Sequence, residues 1–196
     1  MYLNGGYRFI GKVDPEPLAR AVESLSEDAW LEYFGRQQTY RPHRRTQTIP
    51  LLYDEDGRHT DPTEWPRWAE LKTVLEPVLE KIREANPPAS EAGGEGYFIR
   101  IILARLNPHA WISVHRDEGA TLARSHRNHL AIITNDRVEF EVEEEVRHLA
   151  AGEIWEINNR QHHGVRNTSD YARVHLILDY VVPGERIDDP DGPVIA

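Results

Sequence analysis

The chain has 196 residues, 39% of them hydrophobic, enough for one sizeable core and short for two full domains. A formal net charge of −10 argues against a nucleic-acid partner, since phosphate contacts need a basic surface. There is no cysteine, which removes disulfides, thiolate nucleophiles and Cys-based zinc sites and leaves histidines and carboxylates as possible metal ligands. That absence fits a reducing cytosol. No apolar run approaches the roughly 18 residues a bilayer span needs, and MYLNGGYRFIGKVD lacks the pattern of a signal peptide. The expectation is a cytoplasmic protein with no membrane partner. Its oligomeric state is open.

In chain order, residues 15–34 carry helical spacing through Leu18, Val22, Leu25 and Ala29, with a break near Ser26. TQTIPLLY (46–53) reads as a strand, and Pro50 points to a sheet edge. Residues 65–85 read as a helix presenting Leu71, Val74, Leu75, Val78, Leu79 and Ile82, with a kink expected at Pro77. NPPASEAGGEG (86–96) is a loop. Beyond it come short β-type runs at 97–106, 111–117, 128–134, 138–143, 152–158 and 172–182, with turn signals such as NPHA, DEGA, TND and NTSD between them. EVEEEVRH (141–148) reads as an exposed hairpin.

This pattern predicts a mainly β protein. Its core is a double-stranded β-helix (a jelly roll of the cupin kind), with N-terminal helices packed on one sheet. The chain is treated as one domain, with a helix-and-strand layer over 1–95, the β core over 96–185 and a tail over 186–196. Trp111, Trp155 and Tyr180 are assigned to packing. Asn158, Asn159 and Asn167 are assigned to turns.

The chemistry begins at His115-Arg116-Asp117. On a strand, positions i and i+2 share a face, so His115 and Asp117 project together while Arg116 faces away. An imidazole beside a carboxylate supplies two of the three protein ligands of a facial iron site. A surface histidine next to an acid in a turn gives the same triplet, so a third ligand is required. His162 and His163 lie between two strands, at the rim of the same barrel. Adjacent histidines face opposite ways in extended chain, and periodicity does not choose between them.

An oxygenase that uses a 2-oxo dicarboxylate also needs a cation for the buried distal carboxylate, and a bidentate arginine suits it. Arg173 opens the last strong strand and shares a face with His175, Ile177 and Asp179. A pairing of Arg173 with Asp170 or Asp179 is the plainer alternative.

HRDEG (115–119), RNHL (127–130), HGV (163–165) and RVHLILDY (173–180) together resemble the aspartyl/asparaginyl β-hydroxylase family, which also includes a bacterial L-proline cis-4-hydroxylase. The resemblance covers about seventy residues, from 111 to 182, and its spacing from histidine to arginine selects His163 over His162. It implies a cupin-like fold that binds Fe(II), 2-oxoglutarate and O₂. Iron would be held by His115, Asp117 and His163, and the C5 carboxylate of 2-oxoglutarate by Arg173. Arg127 and His129 would approach the cosubstrate's other carboxylate. Some relatives lack the acidic ligand, so Asp117 places this chain nearer the proline-hydroxylase branch. Where animal members offer a serine to the cosubstrate, this chain has Ala104.

The implied reaction hydroxylates an aliphatic carbon of an amino acid, Asp/Asn- or Pro-like, free or in a small peptide, with release of succinate and CO₂. The alternatives are a cupin-like small-molecule-binding module, or a cupin enzyme that does not use 2-oxoglutarate. The polar segment RQQTYRPHRRTQTI (36–49) offers Arg36, His43 and Arg45 as candidates for gripping a substrate carboxylate.

Overall fold

The structure, a computed structural model, describes residues 3–33, 43–53, 61–88, 94–117 and 119–185. Two antiparallel sheets face each other. The larger has the strand order β1-β8-β5-β10-β3-β2 and the smaller β4-β9-β6-β7. The larger contains β1 (Tyr7–Lys12), β2 (Thr46–Leu52), β3 (Tyr97–Leu106), β5 (His126–Ile133), β8 (Glu153–Ile157) and β10 (Arg173–Val181). The smaller contains β4 (Trp111–His115), β6 (Val138–Val142), β7 (Glu145–Arg147) and β9 (His163–Asn167). This is the predicted jelly roll.

The helices cover the outer face of the larger sheet. In α1 (Glu16–Glu23) Leu18 and Val22 are buried, and in α3 (Pro66–Ala85) Trp68, Leu71, Leu75, Val78, Leu79 and Ile82 are buried. They pack on Ile101, Leu103, Leu130, Val174, Leu176 and Leu178, which alternate with residues facing the barrel interior. The expected break near Ser26 is real. Ser26 caps α2 (Glu27–Leu31), its hydroxyl accepting from the Ala29 amide at 3.3 Å. Pro77 lies inside α3. Pro50 sits in β2, an edge strand, where its missing N–H costs no ladder bond on the open side.

Three elements were not anticipated. β1 joins the far edge of the larger sheet against β8, so the N-terminal segment forms part of the β framework beneath the helices. β9 carries the histidine expected at a rim turn, and α4 (Ala120–Arg124) follows the HRDEG segment. The expected hairpin at 141–148 is formed by β6 and β7.

Trp111 corrects an expectation: it is 49% exposed, with the Arg45 guanidinium 3.9 Å above its ring. Strand alternation accounts for this. Ile112, one residue on, turns inward to the core between the sheets, so Trp111 must turn outward. Tyr180 is buried and Trp155 half-buried, as packing residues should be. Asn158, Asn159 and Asn167 bond backbone carbonyls of Leu3 and Gly5, of Leu122, and of Asn107 and Tyr171. Among the described residues, no helix is long and apolar enough to cross a membrane.

Candidate metal and dicarboxylate site

Between the sheets lies a narrow cavity of about 20 Å³. The smaller sheet lines it with Ile112, His115, Phe140, His163 and Val165, and the larger with Ala104, Arg127, His129, Arg173 and Ile177. His43 and Thr46 close one side.

His115 ends β4 and His163 begins β9, and they are direct partners in the ladder. Their ring centroids are 4.4 Å apart. Asp117, two residues past His115, completes a group whose ligand atoms all lie within 4.8 Å of one another. His115 Nε2 is 3.6 Å from Asp117 Oδ1, and His163 Nε2 is 3.9 Å from Asp117 Oδ2.

Each imidazole is held in the same way. His115 Nδ1 donates to the Ser113 carbonyl at 2.7 Å, and His163 Nδ1 to the Gln161 carbonyl at 3.0 Å. A carbonyl only accepts, so both rings carry their proton on Nδ1 and present the Nε2 lone pair toward Asp117. His115 Nε2 is buried with no hydrogen bond of its own. Burial pushes His163 down to about 4, so it is neutral at pH 7, as a ligand must be. Two imidazoles anchored through Nδ1 and one carboxylate, converging from one side, are the donor set of a facial site with open positions. The residues present fit a divalent iron.

His162 is half-exposed and faces outward, 3.6 Å from Glu143 and 3.4 Å from Arg116. It is His163, not His162, that the structure groups with His115 and Asp117.

Asp117 is buried, which by itself would raise its pKa. The Arg127 guanidinium overrides that effect, helped by His115 and His163, and holds the carboxyl well below the usual range. Arg127 is a bridge. It donates to Asp117 through Nη1 and to both oxygens of Asp179 through Nε and Nη2, each at 2.8 Å. Arg100 approaches Asp179 at 3.5 Å from the opposite strand. Arg127 therefore contacts the carboxylate expected to bind metal, an arrangement in which it orients a ligand. The motif made Arg127 visible, but its partner in β10 becomes visible only from the register Arg127↔Asp179.

Arg173 is 1% exposed and lines the cavity beyond the metal group. The pairings weighed against its site role are not formed: Asp170 meets His109 at 2.9 Å, and Asp179 is held by Arg127 and Arg100. His129 lies within the cavity wall, its ring 5.1 Å from Phe140, and neither ring nitrogen has a hydrogen-bond partner. Burial, with Arg173 and Arg127 nearby, pushes it well down, so it is neutral.

Of the three residues proposed for substrate, His43 is buried in the cavity wall, its ring 5.3 Å from that of His115. Arg45 lies over Trp111 on the outside and does not line the cavity. Arg36 lies outside the described residues. Thr46 and Phe140 went unnoticed in the sequence. The alternation Thr46-x-Thr48 in a strand was the available signal for a polar face on β2.

A sequence profile described as "Aspartyl/Asparaginyl beta-hydroxylase" matches residues 78–183, more than half of the chain. The chain belongs to this family. It is thereby an enzyme of the iron(II)- and 2-oxoglutarate-dependent oxygenase class.

Among solved structures, an oxidoreductase of the 2OG-Fe(II) oxygenase family from Burkholderia pseudomallei aligns over 91% of this hydroxylase-family chain and 96% of its own, at 14% identity and a TM-score of 0.56. HygX from Streptomyces hygroscopicus, with nickel and 2-oxoglutarate bound, aligns over 97% and 84% at 14% identity and a TM-score of 0.55. The viral collagen prolyl hydroxylase vCPH from Paramecium Bursaria Chlorella virus-1, in a 2OG complex, aligns over 90% and 96% at 9% identity and 0.55. At such identities these likenesses speak to the fold. No curated protein sequence matches significantly.

Proposed function

We propose that the protein hydroxylates an aliphatic carbon of an amino acid, free or in a small peptide and Asp/Asn- or Pro-like, consuming 2-oxoglutarate and O₂ and releasing succinate and CO₂. In this reading His115, Asp117 and His163 hold Fe(II), and Arg173 grips the distal carboxylate of 2-oxoglutarate. One observation carries it: two Nδ1-protonated imidazoles turn their Nε2 atoms toward one carboxylate, in a cavity that also holds a buried arginine.

Iron and the 2-oxo acid, when bound, supply the oxidising power through oxidative decarboxylation. The chain supplies the rest. Nδ1 anchoring fixes both imidazoles, and Arg127 holds one Asp117 oxygen and so limits how that carboxylate swings. Ile112, Phe140, Val165 and Ile177 keep water from the reacting face. In this reading His43, whose ring lies beside that of His115, contacts the substrate. The candidates Arg36 and Arg45 remain part of the proposal only as groups on the segment that leads to it.

The test is an anaerobic titration of metal-free protein with Fe(II) and then 2-oxoglutarate, followed by calorimetry and by the weak visible charge-transfer absorption of the chelate. Both signals are expected, with loss of metal binding in His163→Ala and loss of 2-oxoglutarate binding in Arg173→Ala. Fe(II) uptake with no response to 2-oxoglutarate would overturn the cosubstrate assignment in favour of a metal-binding module.

A further inference from the structure

A groove of about 270 Å³ lies on the outer face of the smaller sheet, lined by residues of β4, β9, β6 and β7. Three large apolar side chains stand exposed in it: Trp111 at 49%, Val114 at 57% and Val146 at 54%. They are half of the six such side chains among the described residues, so the exposure is concentrated rather than scattered. Its origin is local. β4 holds an extra residue between Ile112 and His115, whose partners Val165 and His163 are only two apart. Both Ile112 and His115 therefore face the metal cavity, and Val114 turns outward. Beside Val114 lies Gly164, where a Cβ would come within 3.2 Å of Val114 Cγ2 and 3.1 Å of the Ile112 carbonyl oxygen. That glycine leaves the floor of the groove open.

The ladder register arranges these groups in two rows. One is Trp111, Arg166 and Glu139, on β4, β9 and β6. The other is Val114, Gly164, Glu141 and Val146, on β4, β9, β6 and β7. The strand order β4-β9-β6-β7 has its midline between β9 and β6. A two-fold axis along that midline, parallel to the strands, lays β4 on the β7 of a second copy and β9 on its β6. Val114 then meets Val146 of the second copy, Arg166 meets Glu139, and Glu141 enters the space over Gly164. Each contact occurs twice, as an isologous interface requires.

The charges favour a second copy over a charged ligand. Among the described residues, no ion pair within the chain engages Glu139, Glu141 or Arg166. Arg166 and the Arg45 guanidinium stacked on Trp111 balance Glu139 and Glu141, two charges against two. The groove and its rim are thus neutral on a chain of formal net charge −10, so two copies can approach here without the repulsion that net charge imposes.

We infer that the outer face of the smaller sheet is a self-association surface, on which two copies of this chain pack sheet on sheet about a two-fold axis. At about 4.8 Å between strands and 3.4 Å per residue, the face spans about 14 Å from β4 to β7 and about 17 Å along β4. That is less than the roughly 800 Å² per partner of a standard interface, so the pairing is weak and reversible, with a dissociation constant on the order of 10⁻⁵ M. It lies on the side of β4 and β9 away from the cavity, and metal binding does not depend on it.

The test is sedimentation of the parent between about 1 and 500 µM, a range that brackets this constant. A monomer–dimer equilibrium is expected. Val146→Lys, which changes only an exposed side chain, should weaken it at least about tenfold by setting a charge against Val114 of the second copy. Arg166→Glu and Glu139→Arg should each be monomeric alone, because like charges then face each other across the axis. Mixed in equal amounts they should form a heterodimer, since both contacts again join a cation to a carboxylate. Parent-like Ni(II) binding shows that each variant is folded. A parent that stays monomeric at about 500 µM overturns the inference. So does a Val146→Lys variant that associates like the parent, or a mixture of the two folded charge variants that stays monomeric. None of these outcomes bears on the proposed function, whose residues face the other side of the sheet.

Discussion

Replacing Arg127 with Met tests the electrostatic frame of the site. Arg127 is 3% exposed and bridges two carboxylates, Asp117 and Asp179, that are themselves buried. Removing one member of a buried ion pair costs about 3–5 kcal/mol, because the remaining charge is left without compensation. Asp179 keeps Arg100 at 3.5 Å, whereas Asp117 loses the cation that most lowers its pKa. The penalty should therefore fall mainly on Asp117.

In a chain of this length, 1 kcal/mol moves the melting temperature by about 2–4 °C, so a fall of roughly 6–20 °C is expected in the metal-free protein at pH 7. The pH dependence fixes the origin. A carboxylate with a depressed folded pKa adds stability above its unfolded value near 3.8 and loses it as pH falls through the folded value. Without Arg127, Asp117 no longer has that advantage, so the gap between parent and variant should narrow in acid. The narrowing belongs below pH 3.8, so urea denaturation at pH 7 and at pH 3 measures both. A loss under about 1 kcal/mol at pH 7, or a gap that stays constant in acid, would refute the reasoning.

Ala at His115, Asp117 or His163 should weaken Ni(II) or Fe(II) binding by more than the roughly 10–100-fold that losing an outer partner costs, with His162→Ala close to parent by calorimetry. Stability of the metal-free protein should fall from pH 7 toward pH 4. His129, His163 and His175 are all depressed from 6.5, so the unfolded chain takes up more protons in that window. At pH 5.5 the three cost up to about 1.4 kcal/mol each, and His175→Phe should reduce the slope in melting experiments by about a third. Gly152 has φ +81°, and a Cβ there would lie 2.4 Å from the Val13 carbonyl oxygen, so Gly152→Ala should lose at least about 2 kcal/mol in urea denaturation. An unchanged midpoint would show that the β1–β8 junction relaxes freely.

The parts of the fold legible in the sequence were those where one physical rule dominated. α3 announces itself because six buried side chains recur at helical spacing, and β10 because alternating apolar residues face the helices. β1 was missed because YRFIGK lacks strict alternation: it lies at an edge with a bulge between Phe9 and Gly11, and no residue in it is fully buried. β9 was missed because HGVRN has one aliphatic residue and reads as a turn, although Val138–Val142 pairs with it along its whole length. Local pattern could place His115 beside Asp117. Bringing His163 to them needed the β4–β9 pairing, a contact between residues almost fifty apart that only the motif spacing foreshadowed. The bridge from Arg127 to Asp179 is a product of register, which no single segment encodes.

The charges of the interior explain why these long-range placements belong together. Arg127 meets Asp117 and Asp179, Arg100 approaches Asp179 and Arg173 lines the same cavity, while burial keeps His129, His163 and His175 neutral. Among the described residues, three guanidiniums stand with two carboxylates in and around the site, a difference of one positive charge. A divalent metal alone would raise that excess to three in a medium where like charges are poorly screened, and a dicarboxylate alone would invert it. Bound together they return the site to its starting charge. Each ligand therefore improves the electrostatic setting for the other, and this coupling requires no movement of the framework. It follows from where the register of β10 puts Arg173 and Asp179, at opposite ends of one buried strand.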